Sequence, residues 1–302
     1  MMPILLNPVK KTLIWGSEEW GISAHPNGDV KVLNPEFQGQ SLSSLYKSKP
    51  EFFGECNSPV FPLLTKIIDA RDDLSIQVHP DDEYAGKNEN GSLGKTECWY
   101  IIDADPGTKI IIGHRAKNSS EVKEMIENGR WSDFIREVEV KKGDFFFIEP
   151  GTVHAIKGGT KILETQQSSD ITYRVYDYGR LQDGKPRPLH IKQSIDVIKA
   201  PFIEKEAPLC IEKRICSSDY DSFVRQLVSC SLFTVWHANV KEKLALEMQN
   251  TCMLVSVISG SISIDSNSFS CGQHFIVPAL LSGQKEKAFI ITGSAELIIS
   301  TI

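Results

Sequence analysis

The chain has 302 residues, a formal net charge of −6, 41% hydrophobic residues and 24% charged residues. This is the composition of an ordinary globular protein, which excludes disordered and fibrous classes. The acidic charge without a lysine–arginine block argues against a nucleic-acid surface. We find neither a signal-peptide pattern nor the ~18 consecutive apolar residues of a membrane span. The seven cysteines form no C-x-x-C pair, so we predict a cytoplasmic protein with reduced thiols.

The first part of the chain, residues 1–60, consists of short apolar pieces interrupted by Pro, Gly, Asn and Ser. We expect it to pack on the β-rich part that follows. From Phe61 onward, short β-type runs alternate with turn residues, for example Leu74–Val78, Cys98–Ile102 and Asp144–Ile148. Many short strands with regular turn signals indicate an all-β sandwich or barrel rather than alternating βα units.

A helical insertion is predicted over residues 118–136. Asn118 is a good N-cap residue and Glu121 stands at the capping-box position. Apolar residues then repeat at helical spacing: Val122, Met125 and Ile126. We expect this insertion to cover one opening of the β-structure. A second helix is predicted near Ile191–Ile198, within a linker over residues 191–225.

An internal repeat indicates that the β-structure occurs twice. The segment Lys142–Gly151 and the segment Cys271–Ala279 each contain a glycine turn, an apolar strand and a proline that ends the strand. The second copy has no histidine where the first has His154. We therefore predict two related β-barrels, one over residues 61–190 with a site and one over residues 226–302 without a metal.

The strand Leu74–Val78 carries an unusual row of polar side chains. Because alternate residues of a strand share a face, Ser75, Gln77 and His79 point to one side of it. Polar groups inside a small barrel are costly unless they are paired. A bound metal ion would supply that pairing.

Further candidate ligands follow on later strands. Lys95 and Glu97 share a face of the next strand, and His154 follows the turn after Asp144–Ile148. Two imidazoles and a carboxylate are typical of a catalytic zinc site, and such donors also suit Mn²⁺, Fe²⁺ or Co²⁺. Gln77 is a possible fourth ligand, and Glu83 competes with Glu97 for the carboxylate position.

Several segments of the chain resemble known families. The pattern Gly143-x7-Gly151-x2-His154 resembles the second signature of cupin barrels. A fuller set, in chain order, is similar to the type I mannose-6-phosphate isomerases. The segments that carry this resemblance are Phe61–Lys66, Leu74–Asp82, Lys95–Tyr100, Gly151–Ile156, Glu164–Asp170, Tyr173–Asp177 and Arg187–His190. The resemblance implies a mainly β fold with two cupin-type jelly-roll barrels.

The resemblance also implies the site. It implies one Zn²⁺ per chain, with other divalent metals possible, in a shell formed by His79, Glu97, His154 and Gln77. It implies that Arg174 is the active-site arginine. The remaining residues that it implies lie near the sugar phosphate or line the pocket: Ser75, Arg180, Lys66, Lys95 and Glu164.

The implied reaction is the interconversion of mannose 6-phosphate and fructose 6-phosphate through an enediolate. It needs a general base, for which Glu164 is the first candidate and Lys95 the second. Arg174 would stabilise the enediolate or bind phosphate. The alternative for Arg174 is a structural ion pair with Asp177 or Asp170.

Two other functions remain open at this point. A non-catalytic, metal-containing cupin that binds or senses sugar phosphates would need no lysine beside the metal. A metal-dependent oxygenase would leave the arginine unexplained. Whether the protein is an enzyme or a sensor, we expect it to bind a sugar phosphate and to have no nucleic-acid or membrane partner. We expect the protein to be a monomer.

Overall fold

The computed structural model describes residues 2–54, 56, 58–210, 215–217, 221–280 and 288–302. Strands dominate these residues. In chain order they are β1 (Ile4–Asn7), β2 (Val9–Leu13), β3 (Gly16–Ile22), β4 (Lys31–Val32), β5 (Leu63–Ala70), β6 (Ile76–Val78), β7 (Glu97–Ala104), β8 (Lys109–His114), β9 (Ile135–Glu139), β10 (Phe145–Ile148), β11 (His154–Ala155), β12 (Thr160–Gln167), β13 (Tyr173–Tyr176), β14 (Leu181–Gln182), β15 (Lys185–Pro186), β16 (Cys216–Ser217), β17 (Phe223–Ser229), β18 (Thr234–Glu247), β19 (Met253–Ile264), β20 (Asn267–Ser270), β21 (His274–Val277) and β22 (Ala288–Thr301).

Helices are short and few among the described residues. They are α1 (Leu42–Ser48), α2 (Asp82–Asn88), α3 (Ser119–Glu127), α4 (Trp131–Phe134) and α5 (Ile191–Val197), with 3₁₀ turns at Pro35–Phe37 and Pro50–Phe52. The predicted insertion and the predicted linker helix are thus present as α3, α4 and α5. No described helix has both the length and the apolar character that crossing a membrane requires.

The chain divides into two compact units. Unit 1 contains residues 1–9, 20–65 and 207–302, and unit 2 contains residues 10–19 and 66–206. This grouping places residues 20–65 with the C-terminal residues and not with the first barrel. The domain boundaries derived from the sequence stay a prediction.

Unit 2 is built on two antiparallel sheets. A six-stranded sheet has the order β10-β7-β12-β5-β3-β2, and a five-stranded sheet has the order β13-β6-β11-β8-β9. The mainly β, cupin-type fold is therefore confirmed, but the sheets stay open along their edges and do not close into hydrogen-bonded barrels. Side chains between the two sheets hold them together, as in a jelly roll.

The core between these sheets is apolar at one end. Ile68 and Ile101 come from the larger sheet, Ile110 and Ile112 come from the smaller one, and all four are buried in one cluster. The opposite face of the smaller sheet is also apolar and packs against α3, α4 and α5. The smaller sheet is thus buried on both faces, which explains why its strands contain so few exposed positions.

Unit 1 is built on one nine-stranded sheet. Its strands follow the order β16-β18-β22-β19-β21-β1-β4, with β17 on β18 and β20 on β19. In unit 2 the strand β10 ends with Ile148 opposite Glu97. In unit 1 the strand β21 ends with Val277 opposite Met253. A methionine therefore occupies the register position of the unit 2 carboxylate.

The position in the second copy that corresponds to His154, where the sequence predicts no histidine, lies within residues 281–287. These residues lie outside the part of the chain that the structure describes. The sequence there contains no histidine, so the absence of a unit 1 metal stays a prediction, which Met253 supports.

Candidate metal centre and active site

The polar side chains of unit 2 collect at one end of the space between its sheets. Along β5 the inward positions change from Lys66 to Ile68, and along β7 they change from Glu97 to Ile101. This two-residue alternation is the ordinary period of a strand. The inner space is therefore apolar at one end and lined with charged groups at the other.

Three donor groups converge at the polar end. His79 Nε2 lies 3.2 Å from His154 Nε2 and 3.5 Å from Glu97 Oε2. The distance from His154 Nε2 to Glu97 Oε1 is 3.3 Å. All three side chains are buried, and their ligand atoms lie within 4.8 Å of one another. Pairing between β11 and β6 brings the segments together, since His154 is opposite Gln77 in that register.

The hydrogen bonds of the two histidines show which kind of ligand this cluster can bind. His79 Nδ1 is 2.8 Å from the carbonyl oxygen of Ile171, and His154 Nδ1 is 2.9 Å from that of Thr152. Carbonyl oxygens only accept, so each Nδ1 carries the proton and each Nε2 presents a lone pair. Two lone pairs then face a buried carboxylate. This arrangement needs a cation.

A lysine is close by but does not complete the cluster. Lys95 Nζ lies 2.9 Å from Glu97 Oε2 and 3.3 Å from His79 Nε2. Glu97 Oε1 and His154 Nε2 still face each other without a proton between them, and Glu97 Oε1 accepts no hydrogen bond. The residues present therefore fit a divalent metal ion held by nitrogen and oxygen donors.

The protonation states match this interpretation. Burial, followed by the neighbouring Lys95 ammonium, lowers the pKa of His79 to about 3. Burial likewise lowers the pKa of His154. Burial alone would raise the pKa of Glu97, but Lys95 and the two histidines outweigh it and hold this pKa well below its usual range. At neutral pH the cluster is a carboxylate with two neutral imidazoles.

A second charged group lies directly beside the donors. Glu164 Oε1 is 3.1 Å from Lys66 Nζ and 3.6 Å from Lys95 Nζ. Lys66 Nζ also lies 3.5 Å from Glu18 Oε1. Burial, and then the charge of Glu97, raise the pKa of Glu164. For Lys66, burial would lower the pKa, but Glu164 and Glu18 raise it overall.

Arg174 is placed beside the donors by strand pairing. It stands opposite Gln77 in the register of β13 and β6, and its neighbours Tyr173 and Val175 face the opposite, apolar side. Its Nη1 donates to the carbonyl oxygen of Pro188 at 2.9 Å, and its buried Nε has no hydrogen-bond partner. Within the described residues it forms no ion pair with Asp170 or Asp177. Part of this guanidinium is therefore available for an anion.

Asp177 pairs with two other arginines. Its Oδ1 accepts hydrogen bonds from Arg180 Nη2 and Arg187 Nη2, each at 2.5 Å, and its Oδ2 accepts from Arg187 Nε at 2.7 Å. Arg180 Nη1 also donates to the backbone oxygen of Asp73. Burial would raise the pKa of Asp177, but the hydrogen bonds from both arginines hold this pKa below its usual value.

The remaining predicted residues have simpler positions. Ser75 is buried directly before β6, next to the donor strand. Glu83, the competing carboxylate, is exposed on α2 and pairs with Lys87 at 2.7 Å, so Glu97 is the carboxylate of the cluster. The predicted roles of Gln77, Ser75 and Arg180 stay predictions.

Sequence reasoning did not single out three residues of this region. Glu18 pairs with Lys66, Arg187 pairs with Asp177, and Trp99 donates its indole N–H to Glu164 Oε2 at 3.1 Å. Trp99 and Glu164 lie directly opposite each other on β7 and β12. The signal available in the sequence for Trp99 was its position two residues after Glu97, on the same strand face.

Two facing sheets that bury two imidazoles and a carboxylate around one point define a metal-binding protein of the cupin class. Residues 9–102 match the family model for the catalytic domain of phosphomannose isomerase type I, and residues 224–302 match that for the mannose-6-phosphate isomerase cupin domain. The chain belongs to the type I mannose-6-phosphate isomerase family.

Individual relatives agree over nearly the full length. The chain is 42% identical to mannose-6-phosphate isomerase ManA of Bacillus subtilis, with 99% of this chain and 98% of the relative aligned. It is 43% identical to mannose-6-phosphate isomerase of Streptococcus mutans, with 94% and 87% aligned. The crystal structure of the mannose 6-phosphate isomerase from Bacillus subtilis superposes with a TM-score of 0.91 at 36% identity and covers all of both chains.

Proposed function

We propose that this chain is a metal-dependent isomerase that interconverts mannose 6-phosphate and fructose 6-phosphate. The observation that carries the proposal is the buried cluster of His79, Glu97 and His154, with Lys95 and Glu164 beside it. Relatives that align with 94% or more of this chain are named mannose-6-phosphate isomerase. A sensor of sugar phosphates is not favoured, because a binding protein has no use for a buried base and ammonium next to its metal.

The metal is a divalent ion, and we propose Zn²⁺ with His79, Glu97, His154 and Gln77 as its ligands. When bound, it supplies a Lewis acid that stabilises negative charge on neighbouring sugar oxygens, which is worth several kcal/mol in such sites. The neutral imidazoles and the ionised carboxylate are already in the protonation states that metal binding requires.

The proposed base is Glu164, acting through Oε1. This carboxylate is buried and its pKa is raised, which brings it nearer to the value at which a general base is efficient at neutral pH. It would move a proton between C1 and C2 of the open-chain sugar. Proton transfer by a well-placed group contributes about 10²–10⁴ in rate.

The cations have separate proposed roles. The Nζ of Lys95 lies between Glu97, a proposed metal ligand, and Glu164, the proposed base. At this position the ammonium would donate a hydrogen bond to the sugar oxygen that becomes negative in the enediolate. Arg174 offers its unpaired Nε to the substrate, either at the enediolate or at the phosphate. Ser75, Lys66 and Arg180 complete the proposed sugar-phosphate surroundings.

We further propose that the protein works as a monomer in the cytoplasm, without nucleic-acid or membrane partners. Among the described residues, six cysteines form no disulfide bond, as expected for a reducing compartment. Light scattering after size-exclusion chromatography would show a mass near 33.7 kDa. A mass of twice this value would contradict the monomer.

A coupled assay with mannose 6-phosphate tests the proposed function. We expect turnover that disappears after treatment with a chelator and returns when a divalent metal is added. Elemental analysis should find one metal ion per chain. The variant His79→Ala should lose both the metal and the activity, whereas His237→Ala, in unit 1, should retain both.

Each outcome of this assay separates the alternatives. Binding of sugar phosphate without turnover in the fully metal-loaded protein would favour the sensor and contradict the isomerase. Turnover that survives removal of all metal would contradict the proposed metal dependence. Oxygen consumption with the sugar phosphate would instead identify an oxygenase.

A further inference from the structure

Trp99 lies at the boundary between the charged end and the apolar end of the unit 2 core. It follows Glu97 by two residues on β7, so both side chains point between the sheets. It is fully buried. It belongs to the apolar cluster that also contains Ile101 and Ile162, and its indole N–H faces the carboxylate of Glu164.

The two carboxylate oxygens of Glu164 have different partners. Trp99 Nε1 donates to Oε2 at 3.1 Å. The other oxygen, Oε1, is 3.1 Å from Lys66 Nζ and 3.6 Å from Lys95 Nζ. A carboxylate that rotates would exchange its two oxygens, and the hydrogen bond to Oε2 opposes that rotation.

The geometry of this contact is set by the sheet and not by a loop. Trp99 and Glu164 are directly opposite on the paired strands β7 and β12, where cross-strand side chains are close neighbours. The indole also contacts the ring of His154 edge-on, with centroids 5.4 Å apart and planes at 77°. A single rigid side chain thus touches both the candidate base and a candidate ligand.

A buried indole N–H usually finds some acceptor, so the hydrogen bond alone would be compatible with simple satisfaction of the donor. The choice of acceptor is the informative feature. The acceptor is a buried carboxylate whose second oxygen faces two lysines.

We propose that Trp99 is a positioning residue for the isomerisation, which holds Oε2 of Glu164 so that Oε1 is presented to the substrate. The inference rests on the proposed function and deepens it. Trp99 contacts the substrate in no part of this scheme and acts through Glu164.

The variant Trp99→Phe tests the inference because it keeps an aromatic ring and removes the N–H donor, and the loss of ring volume that accompanies this change is matched by the control below. We expect kcat to fall about 10-fold, a fraction of what a general base contributes, with KM changed less than about 2-fold. Loss of a donor to the ionised carboxylate should also move the acid limb of the kcat–pH profile to higher pH. Trp236→Phe, a buried tryptophan of unit 1, is the matched control and should change neither quantity.

Three results would overturn the inference. The first is a Trp99→Phe enzyme with unchanged kcat and an unchanged pH profile. The second is a rate loss accompanied by a proportional loss of metal, which would show that the indole supports His154 instead. The third is a rate loss in Trp99→Phe and Trp236→Phe alike, which would indicate a general effect on folding.

A double-variant cycle separates this inference from the proposed function. If Trp99 acts through Glu164, then Trp99→Phe should cost nothing further in a Glu164→Gln background. Multiplicative losses would contradict positioning. Full activity of Glu164→Gln alone would instead contradict the proposed base.

Discussion

Single residues of this chain owe their chemistry to the atoms that they face. His79 and His154 both direct Nδ1 at backbone carbonyls, which leaves Nε2 of each as a lone-pair donor. This backbone contact sets the ligand atom before any metal binds, a common feature of metal-binding histidines. The same principle distinguishes the arginines, since Arg180 and Arg187 are paired with Asp177 and Arg174 is not.

Replacement of Arg174 should therefore affect catalysis without affecting the metal. We expect Arg174→Ala to retain the metal ion and to lose about 10²–10³ in kcat/KM, the usual cost of one preorganised donor. Arg174→Lys should recover only part of this loss, because an ammonium lacks the planar fork. The assay is the coupled one, with elemental analysis alongside. Arg136→Lys, whose guanidinium pairs with Glu204, is the control.

The two roles open to Arg174 differ in their dependence on the phosphate. If the guanidinium binds phosphate, the Arg174→Ala defect should shrink with unphosphorylated mannose as the substrate. An equal defect with both sugars would assign Arg174 to the enediolate. Loss of metal in Arg174→Ala would contradict the prediction altogether.

Asp177 should make stability depend on pH in the acid range. Its folded pKa is below the ordinary value of 3.8, so its contribution is fully present above about pH 5 and is lost as pH falls through the folded pKa. Urea unfolding of chelator-treated protein should show a smaller loss of stability between about pH 5 and pH 2.5 in Asp177→Asn than in the unmodified chain. Equal losses would show that the two arginine contacts contribute nothing.

At the scale of elements, strand pairing brings the site together. β6 lies between β11 and β13, so that Gln77 has His154 on one side and Arg174 on the other. β7 lies between β10 and β12, which places Glu97 and Glu164 on neighbouring strands. Each strand contributes only one or two polar side chains, and adjacent strands supply the others.

The helical insertion depends on its first turn. Asn118 Oδ1 accepts from the backbone N–H of Glu121 at 2.9 Å, and Glu121 Oε2 accepts from the N–H of Lys117 at 2.6 Å. The helix α3 then buries Val122, Met125 and Ile126 against the smaller sheet. The capping box expected from the sequence is thus present, although the glutamate reaches one residue further back than usual.

Removal of this cap should lower stability and leave the chemistry intact. We expect Asn118→Ala to reduce the free energy of unfolding by about 1 kcal/mol at unchanged kcat. Ser120→Ala, two residues along in the same turn, should have little effect, and Asn118→Asp should preserve stability because it keeps an acceptor at the helix N-terminus. Urea denaturation measures all three. A loss of activity in Asn118→Ala would mean that the insertion shapes the site.

At the scale of the whole molecule, both units contain a glycine turn followed by a strand, with different residues opposite the end of that strand. Glu97 in unit 2 corresponds in register to Met253 in unit 1. Both copies keep the glycine turn, since Gly143 and Gly272 have φ of 88° and 83°, a conformation that glycine adopts at little cost. The turn and the strand are therefore present in both units, whereas the carboxylate at this register position belongs to unit 2.

Metal binding should therefore stabilise the protein through unit 2. A ligand present at 100 times its dissociation constant stabilises the folded state by about 2.7 kcal/mol. We expect chelation to lower the thermal unfolding midpoint of the unmodified chain and to have no effect on His79→Ala. Scanning calorimetry measures the midpoints. An equal shift in both proteins would indicate a metal bound elsewhere, with unit 1 as the first place to search.

The sequence by itself determined features that depend on neighbouring residues. Alternation along a strand placed Ser75, Gln77 and His79 on one face, and capping residues located α3, because both patterns repeat within a few positions. It also determined which donor types were available, since two histidines and a carboxylate follow strand or turn signals. The resemblance to a family, carried by ordered motifs, extended this to the expected reaction.

Only the tertiary structure decided which side chains meet. The contact of Trp99 with Glu164 and the contact of His79 with His154 join positions that are distant in the sequence, and strand register brings them together. A register shift of one residue would turn every such side chain to the opposite face. That register is set by side-chain packing over two entire sheets, and a short sequence pattern does not carry this information.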